Sequence, residues 1–174
     1  MEKWINNRVV YSGNIFSVRE GEIETGKGQV YPRQVVVHPG GVGIVALQDG
    51  QVILVKQFRI PIERRILELP AGRLEAGESP EMCARRELVE EVGYIADKFE
   101  LIAEYYTSVG YSTEKMYLYL VADARKTAAE PEADEELEII YLSLAEVKHM
   151  LDKGEFEDSK TIIGLREMLI RLSP

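Results

Sequence analysis

The sequence predicts a mixed α/β protein in which helices pack on a mixed sheet. Strand-like segments come first, followed by a helix, more strands and two helices, an order typical of an α+β or α/β layered fold. The runs VGIVAL (42–47) and VILVKQF (52–58) flank the turn QDGQ and predict a hairpin. The 174 residues, 45% of them hydrophobic, suit a single domain with an ordinary core.

The remaining strands are predicted from short segments rich in β-branched and aromatic residues. Before the hairpin we expect strands within residues 8–25 and in VYPRQVVVHP, separated by the turn GKGQ. After it we expect strands near 65–70, 99–107, 115–123 and 137–144.

Capping residues mark the predicted helices. Ser79 and Pro80 are typical of an N-cap and first helical position, and Gly93 of the residue after a helix end, which predicts a helix over 80–92. Ser143 and Glu146 form a capping-box pattern that opens a second helix to about 152. An amphipathic pattern predicts a third over 158–172.

Charge and composition narrow the function classes. The net charge of −9 argues against a sequence-independent nucleic-acid binder, which needs a basic face. A phosphate substrate stays possible because a bound divalent cation inverts the local potential. The lone Cys83 excludes an internal disulfide, and no apolar run approaches 18 residues. We therefore expect a cytoplasmic protein without nucleic-acid or membrane partners, and we interpret Cys83 as a packing residue.

Glutamates crowd the predicted helix 80–92. The spacing of four places three apolar residues, Ala84, Leu88 and Val92, in one buried stripe. Glu87 and Glu91 are also four apart, and Glu90 lies one step round, so three carboxylates run along one edge beside the stripe.

Two interpretations of these carboxylates are open. A solvated charged face is common on helices, but such faces usually mix signs, and we expect no cation between Glu87 and Glu91. The glycine-containing loop LPAGRLEAGES directly before the helix favours a ligand site instead. Hard oxygen ligands at this spacing suit Mg²⁺, with Mn²⁺ as the alternative, and a cation would offset the repulsion among the carboxylates.

The same segment carries a family motif. Gly72, five residues, Glu78, seven residues and then RELVEEVGY resembles the Nudix box, G-x5-E-x7-R-E-U-x-E-E-x-G-U. Every fixed polar or glycine position is present, and the last, aliphatic position is Tyr94. The resemblance implies an α/β/α sandwich around a mixed sheet. It divides the chain into an N-terminal antiparallel strand element, residues 1–40, and a Nudix hydrolase domain, residues 41–174.

The resemblance also implies a metal site and a catalytic set. The implied metal ligands are the Ala71 carbonyl and the side chains of Glu87, Glu90 and Glu91. Arg86 and Glu78 would orient the loop and the other glutamates. The implied catalytic residues are Glu87, Glu91, Arg86 and Glu135.

The flanking segments are similar to the ADP-ribose pyrophosphatase branch of this family. They are RQVVVHPGGVGIVAL, VKQFRIPIERRILELPAG and YYTSVGYSTE. This implies Mg²⁺-dependent hydrolysis of ADP-ribose to AMP and ribose 5-phosphate by a homodimer that exchanges N-terminal strands. The implied substrate-binding residues are Arg33, Gln57, Arg59, Glu68 and Glu114, with Glu68 holding Arg59 or a ligand.

Two departures keep alternatives open. Val109 stands where the branch has a proline, which favours another nucleoside diphosphate sugar or a dinucleotide as the alternative substrate. In the acidic loop EPEADEE, Glu135 aligns with the catalytic glutamate of the branch, with Glu132, or no base from this loop, as alternatives. A nucleotide-sensing domain without catalysis is the third hypothesis, although such domains usually lose the box glutamates.

Overall fold

A computed structural model of the chain describes residues 1–127 and 137–172. The chain divides into two compact units. The first contains residues 1–40 and 106–115, and the second contains residues 41–105 and 116–174. The sequence-based division at residue 40 assigned 106–115 to the hydrolase domain, whereas those residues cluster with the N-terminal unit.

The first unit is a three-stranded antiparallel sheet. Its strands are β1 (Lys3–Ser12), β2 (Ser17–Glu24) and β3 (Val30–Val37), in the order β1-β2-β3. Val36 joins the segment 106–115 to this sheet, because its N–H donates to the Tyr111 carbonyl at 2.7 Å and its carbonyl accepts from Thr113 N–H at 3.0 Å. These backbone bonds explain why the segment belongs to the N-terminal unit.

The second unit holds the remaining elements, except for the terminal strand residues Tyr106 and Lys115, which belong to the first. Its strands are β4 (Gly41–Gln48), β5 (Gln51–Arg59), β6 (Arg64–Glu68), β7 (Ala71–Arg73), β8 (Tyr94–Ile95), β9 (Glu100–Tyr106), β10 (Lys115–Val121), β11 (Arg125–Lys126) and β12 (Glu138–Ser143). Its helices are α1 (Pro80–Val92), α2 (Leu144–Lys153) and α3 (Ser159–Leu172). The main sheet has the order β12-β5-β4-β10-β9, with β6 on β5 and β7 on β4. It is mixed, since β4 runs parallel to β10 and antiparallel to β5.

The central strands are buried on both faces. Successive side chains of a strand point to opposite faces, and the strands β4 and β5 contribute alternate residues to two separate clusters. Ile44 and Ile53 pack with α1, whereas Val45 and Leu54 pack with α2 and α3. The predicted α/β/α arrangement around a mixed sheet is therefore confirmed.

The helix predictions are confirmed within one residue at each end. The Ser79 hydroxyl caps α1, Gly93 ends it with a φ of 76°, and the capping box of Ser143 and Glu146 opens α2. The strands β7, β8 and β11 were not predicted, because two or three residues beside glycines or turns carry too little pattern. Among the described residues, no helix is long and apolar enough to cross a membrane.

Candidate functional site

Helix α1 is anchored so that its carboxylates border a cavity. Ala84, Leu88 and Val92 are buried against the sheet, which fixes the rotation of the helix about its axis. The cavity beside it has a volume of about 310 Å³. Its lining combines β7 and the loop after it with one edge of α1: Ala71, Gly72, Arg73, Glu75, Arg86, Glu87, Glu90 and Glu91. The structure thus brings together the residues implied as metal ligands.

Arg86 joins the loop before α1 to the glutamates of the helix. Its guanidinium donates from Nε and Nη2 to the two carboxylate oxygens of Glu78, at 3.0 and 3.1 Å. Nη1 donates to Glu87 at 2.6 Å and to Glu90 at 2.9 Å, and Nη2 also reaches the Arg73 carbonyl at 3.2 Å. One side chain therefore fixes three carboxylates and the backbone of the loop.

This arrangement corrects one expectation. The sequence analysis expected no cation between Glu87 and Glu91, whereas Arg86 Nη1 bonds Glu87 at 2.6 Å. The ion pair forms because the long Arg86 side chain reaches along the cavity edge. The hydrogen bond from Arg86 holds the pKa of Glu78 below its ordinary value, and the same bond raises the pKa of Arg86.

The box glycine leaves room for a carboxylate. A Cβ built on Gly72 would lie 1.8 Å from Glu87 Oε1 and 1.9 Å from its Cδ. Both distances are far inside van der Waals contact, so a larger residue at 72 would displace Glu87. Glycine at this position is explained by the close approach of the Glu87 side chain.

Glu91 ties the helix to β7. Its side chain is only 6% exposed, and Oε2 accepts the Ala71 N–H at 2.8 Å. Ala71 pairs with Gly43 of β4, so the main sheet holds the other side of the same peptide segment. Glu91 and Ala71, both implied metal ligands, are thereby fixed relative to each other.

Cys83 lies beneath this loop as a packing residue. Burial, together with the negative charges of Glu78 and Glu87, raises the pKa of its thiol to about 12. The thiol donates to the Arg73 carbonyl at 3.3 Å. A buried thiol with a raised pKa is a poor nucleophile, which agrees with the sequence-based interpretation.

A second charged group lies at the end of β5. Arg59 donates to both oxygens of Glu68, from Nε at 2.6 Å and from Nη2 at 2.9 Å. The family resemblance implied that Glu68 holds Arg59 or a ligand, and the structure has a two-point ion pair between Glu68 and Arg59. Gln57, two residues earlier on β5, is half-buried on the same face of the strand.

Lys160 is the site residue that sequence reasoning missed. It lies in the first turn of α3, and its Nζ contacts Glu68 Oε2. Ninety-two residues separate the two in the chain, so no local pattern links them. The one available signal was the position of Lys160 beside the apolar stripe that α3 buries.

The other predicted substrate residues belong to the first unit. Arg33 Nη2 donates to Glu2 at 2.7 Å, and Arg33 Nη1 donates to the Pro32 carbonyl. Glu114 accepts from the Thr107 hydroxyl at 2.7 Å. Glu135, and its alternative Glu132, lie outside the described residues.

Tyr94 replaces the aliphatic residue at the end of the box without leaving its hydroxyl unpaired. The ring is buried in the core on the α1 side of the sheet. The hydroxyl contacts the Gln48 side chain and lies 3.0 Å from the Tyr141 hydroxyl. Burial, with the Tyr141 contact, raises the pKa of Tyr94 to about 12. Tyr94 therefore fills the core position of the aliphatic residue, and its hydroxyl is hydrogen-bonded.

Comparison with known proteins identifies the family. The NUDIX domain model matches residues 37–163, which include the whole carboxylate cavity. The chain belongs to the NUDIX family. The prediction of a Nudix hydrolase is confirmed.

Curated relatives span almost the entire chain. An ADP-ribose pyrophosphatase of Bacillus subtilis (strain 168) is 36% identical over 173 residues, covering 98% of this chain and 94% of the relative. A methanol dehydrogenase activator of Bacillus methanolicus is 34% identical over the same coverage. The solved structure of an ADP compounds hydrolase superposes with a TM-score of 0.87, at 24% identity over 98% of this chain and 94% of that chain, and shows the same fold.

The cavity has the donor chemistry of a divalent-cation site. Three carboxylates and a backbone segment are hard oxygen ligands of the kind that Mg²⁺ and Mn²⁺ prefer. Within residues 1–127 and 137–172, no three acidic, histidine or cysteine side chains converge on one point. Arg86 bonds Oε1 of Glu87 and Oε2 of Glu90, which holds both carboxylates at the cavity edge. The residue types therefore fit the ion.

Proposed function

We propose that this Nudix hydrolase cleaves the pyrophosphate bond of ADP-ribose, giving AMP and ribose 5-phosphate, with Mg²⁺ or Mn²⁺ as cofactor. The observation that carries the proposal is the cavity in which Glu87, Glu90 and Glu91 lie beside Ala71. The nearly full-length similarity to the Bacillus subtilis ADP-ribose pyrophosphatase supports the substrate.

The ion would be held by Glu87, Glu90, Glu91 and the Ala71 carbonyl. When bound, it would neutralise charge on the pyrophosphate oxygens and lower the pKa of a coordinated water. Arg86 positions two of these carboxylates and the Arg73 carbonyl of β7, next to the box glycine. Such orienting contacts matter because a ligand that is held in place loses less entropy when the ion binds.

The other residues act on the anionic substrate. Arg59 would contact a phosphate, with Gln57 beside it on β5 and Glu68 fixing its guanidinium. Arg33 and Glu114 are the further proposed substrate-binding residues. Attack of water on one phosphorus breaks the bridging P–O bond, and Glu135 would accept the proton of the water.

We further propose that the protein is a homodimer formed through its N-terminal sheet. Among residues 1–40 and 106–115, all of them described, Ile23 is the one buried apolar side chain. Large apolar side chains of the sheet are exposed instead: Ile5, Val9, Val10, Tyr11, Ile15, Phe16, Val30 and Tyr31. So many exposed large apolar side chains in one small sheet are typical of an interface. Light scattering after size exclusion would give twice the 19.7 kDa chain mass, and a monomer at micromolar concentration would contradict the dimer.

The test of the activity is product analysis by chromatography. ADP-ribose, ADP-glucose, GDP-mannose, NADH and a nucleoside triphosphate are incubated in parallel with the protein and Mg²⁺, Mn²⁺ or EDTA. We expect AMP to appear fastest from ADP-ribose and only with a divalent ion. The variant Glu91→Gln, prepared identically, controls for contaminating phosphatases and hydrolases.

Another nucleoside diphosphate sugar or a dinucleotide is the second candidate substrate. The observation in its favour is Val109, which replaces the proline of the ADP-ribose branch and is 81% exposed. Without proline the backbone at 109 has an additional N–H donor and more freedom. Faster cleavage of another substrate in the same panel would favour this candidate and leave the carboxylate site unchanged.

A further inference from the structure

The start of α3 carries a polar cluster that contacts the end of β6. This strand end lies just before β7 in the chain, and β7 lines the carboxylate cavity. We define the α3 cluster as Asp158, Lys160 and Thr161. Thr161 is completely buried, and the Lys160 side chain is 12% exposed. Burial of a lysine and a threonine at a helix start is costly unless their polar atoms are paired.

Each member of the α3 cluster has a specific contact. Asp158 Oδ2 accepts the Thr161 N–H at 3.0 Å and its hydroxyl at 2.6 Å, as an N-cap residue does. The Thr161 hydroxyl oxygen in turn accepts the Leu69 N–H at 2.9 Å. Lys160 Nζ lies 3.0 Å from Asp158 Oδ2 and also contacts Glu68. The cluster therefore bonds Glu68 through its side chain and Leu69 through its N–H, three and two residues before Ala71.

Glu68 is held from two sides. It is 2% exposed and lies between Arg59 and Lys160, each of which bonds to its carboxylate. Burial raises the pKa of Glu68, but the Arg59 hydrogen bonds and the charge of Lys160 outweigh burial and leave this pKa below its ordinary value. Glu68 is thus an anion with two cationic partners, one of them outside every sequence motif.

The charge balance depends on Lys160. Arg59, Glu68, Asp158 and Lys160 all border one cavity of about 460 Å³. Two cations face two carboxylates there, and the Glu157 carboxylate at the rim pairs with Arg64 at 2.9 Å. Loss of the Lys160 charge would leave the four groups with a net negative charge and Glu68 with Arg59 as its cation. The site around Arg59 would then attract an anionic ligand less strongly.

We propose that Lys160 is a positioning residue for substrate binding. By bonding Glu68, it fixes the carboxylate that aims the Arg59 guanidinium and keeps the surroundings of Arg59 electrically neutral. Lys160 acts through Glu68 and does not itself contact the substrate. This inference rests on the proposed function, in which Arg59 binds a phosphate of a nucleotide substrate.

The test is calorimetric titration of ADP-ribose in EDTA, so that binding is measured without turnover. We expect Lys160→Met to weaken binding about tenfold or more, the scale of a lost orienting contact. Lys160→Arg, which keeps the charge and the donors, should restore binding to within about threefold, well under the 1.4 kcal/mol of a tenfold change. Lys148→Met, which removes an exposed lysine of α2, should bind as the wild type does.

A double-mutant cycle separates this role from simple destabilisation. If Lys160 acts through Glu68, Lys160→Met should add little to Glu68→Gln, because the carboxylate that it holds is already neutral. Thermal unfolding of each variant reports folding independently. With Mg²⁺ present, Lys160→Met should raise KM more than it lowers kcat.

The outcomes distinguish the inference from the proposed function. Unchanged binding in Lys160→Met, an equal effect in the Glu68→Gln background, or no binding of ADP-ribose by the wild type would each overturn the inference. Wild-type binding without cleavage in Mg²⁺ or Mn²⁺ would overturn the proposed function while the binding cycle still tests Lys160.

Discussion

Arg86 and Glu78 form a two-point ion pair that closes the loop before α1 onto the helix. The two N···O distances are 3.0 and 3.1 Å, and both carboxylate oxygens of Glu78 are used. Glu78 Oε2 also accepts the Glu75 N–H at 3.1 Å, so the pair fixes the loop backbone as well as the side chains. The loop between β7 and α1 therefore depends on this pair.

Replacing Arg86 with lysine should uncouple the loop from the carboxylates. Lysine keeps one positive charge but lacks the planar fork that serves Glu78 and the helix glutamates at once. We expect kcat/KM to fall about 10- to 100-fold, the usual cost of losing a residue that orients metal ligands. Steady-state kinetics at saturating Mg²⁺ and at a tenth of that concentration would measure it.

Arg85→Lys is the matched control for this substitution. Arg85 directly precedes Arg86 on the same helix. It pairs with Glu81 and with the carbonyls of Ala96 and Asp97, away from the cavity. Its activity should stay within about twofold of wild type, because surface ion pairs contribute little. Equal losses in both variants would point to general helix destabilisation.

Gly72→Ala should displace Glu87. The added Cβ would overlap the Glu87 carboxylate, which lies less than 2 Å from its position. We expect a lower melting temperature and a loss of activity of at least about tenfold, since overpacking typically costs about 1–3 kcal/mol. In a Glu87→Ala background the stability cost of Gly72→Ala should largely disappear, since the clashing group is gone. A cost that persists there would assign the effect to the backbone of β7.

Glu91→Gln should impair ion binding more than folding. The amide oxygen of glutamine can still accept the Ala71 N–H, so the tie between α1 and β7 is retained. The lost charge removes a hard anionic ligand. We therefore expect activity to fall by more than about 100-fold, because the loss of a residue that only orients a ligand costs about 10- to 100-fold. Mn²⁺ binding measured by electron paramagnetic resonance should weaken in parallel. Glu81→Gln, on the exposed first turn of α1, should change neither quantity.

The sequence was informative wherever the cause of structure is local. Ser79, Gly93 and the capping box of α2 each act within a few residues. The start and end of α1 and the start of α2 are therefore predicted closely. The spacing of the glutamates also placed the carboxylates on one edge of α1, because a helix fixes the positions of residues three and four apart.

Contacts between segments far apart in the chain could not be predicted from the sequence. Lys160 meets Glu68 only because α3 packs on the sheet near the end of β6, and the bond between Leu69 and Thr161 has the same origin. The ion pair of Arg86 with its neighbour Glu87 depends on the side-chain path along the cavity, which helical periodicity does not describe. The strand β7 needs β4 as a template, since its three residues have no strand pattern of their own.

The pH dependence of stability should report the charge of Glu68. Its pKa is lowered in the folded protein, so the stabilisation from ionised Glu68 is fully present above the ordinary glutamate pKa of about 4.3 and is lost as the pH falls toward the folded-state value. Glu68→Gln lacks this contribution at every pH. The wild type should therefore exceed Glu68→Gln in the free energy of unfolding by the largest margin near pH 7, and the margin should shrink below about pH 4. Urea unfolding of both proteins between pH 7 and pH 3 gives the comparison, and the other carboxylates cancel because they are common to both. Parallel curves over this range would mean that Arg59 and Lys160 do not hold Glu68 as an ionised partner.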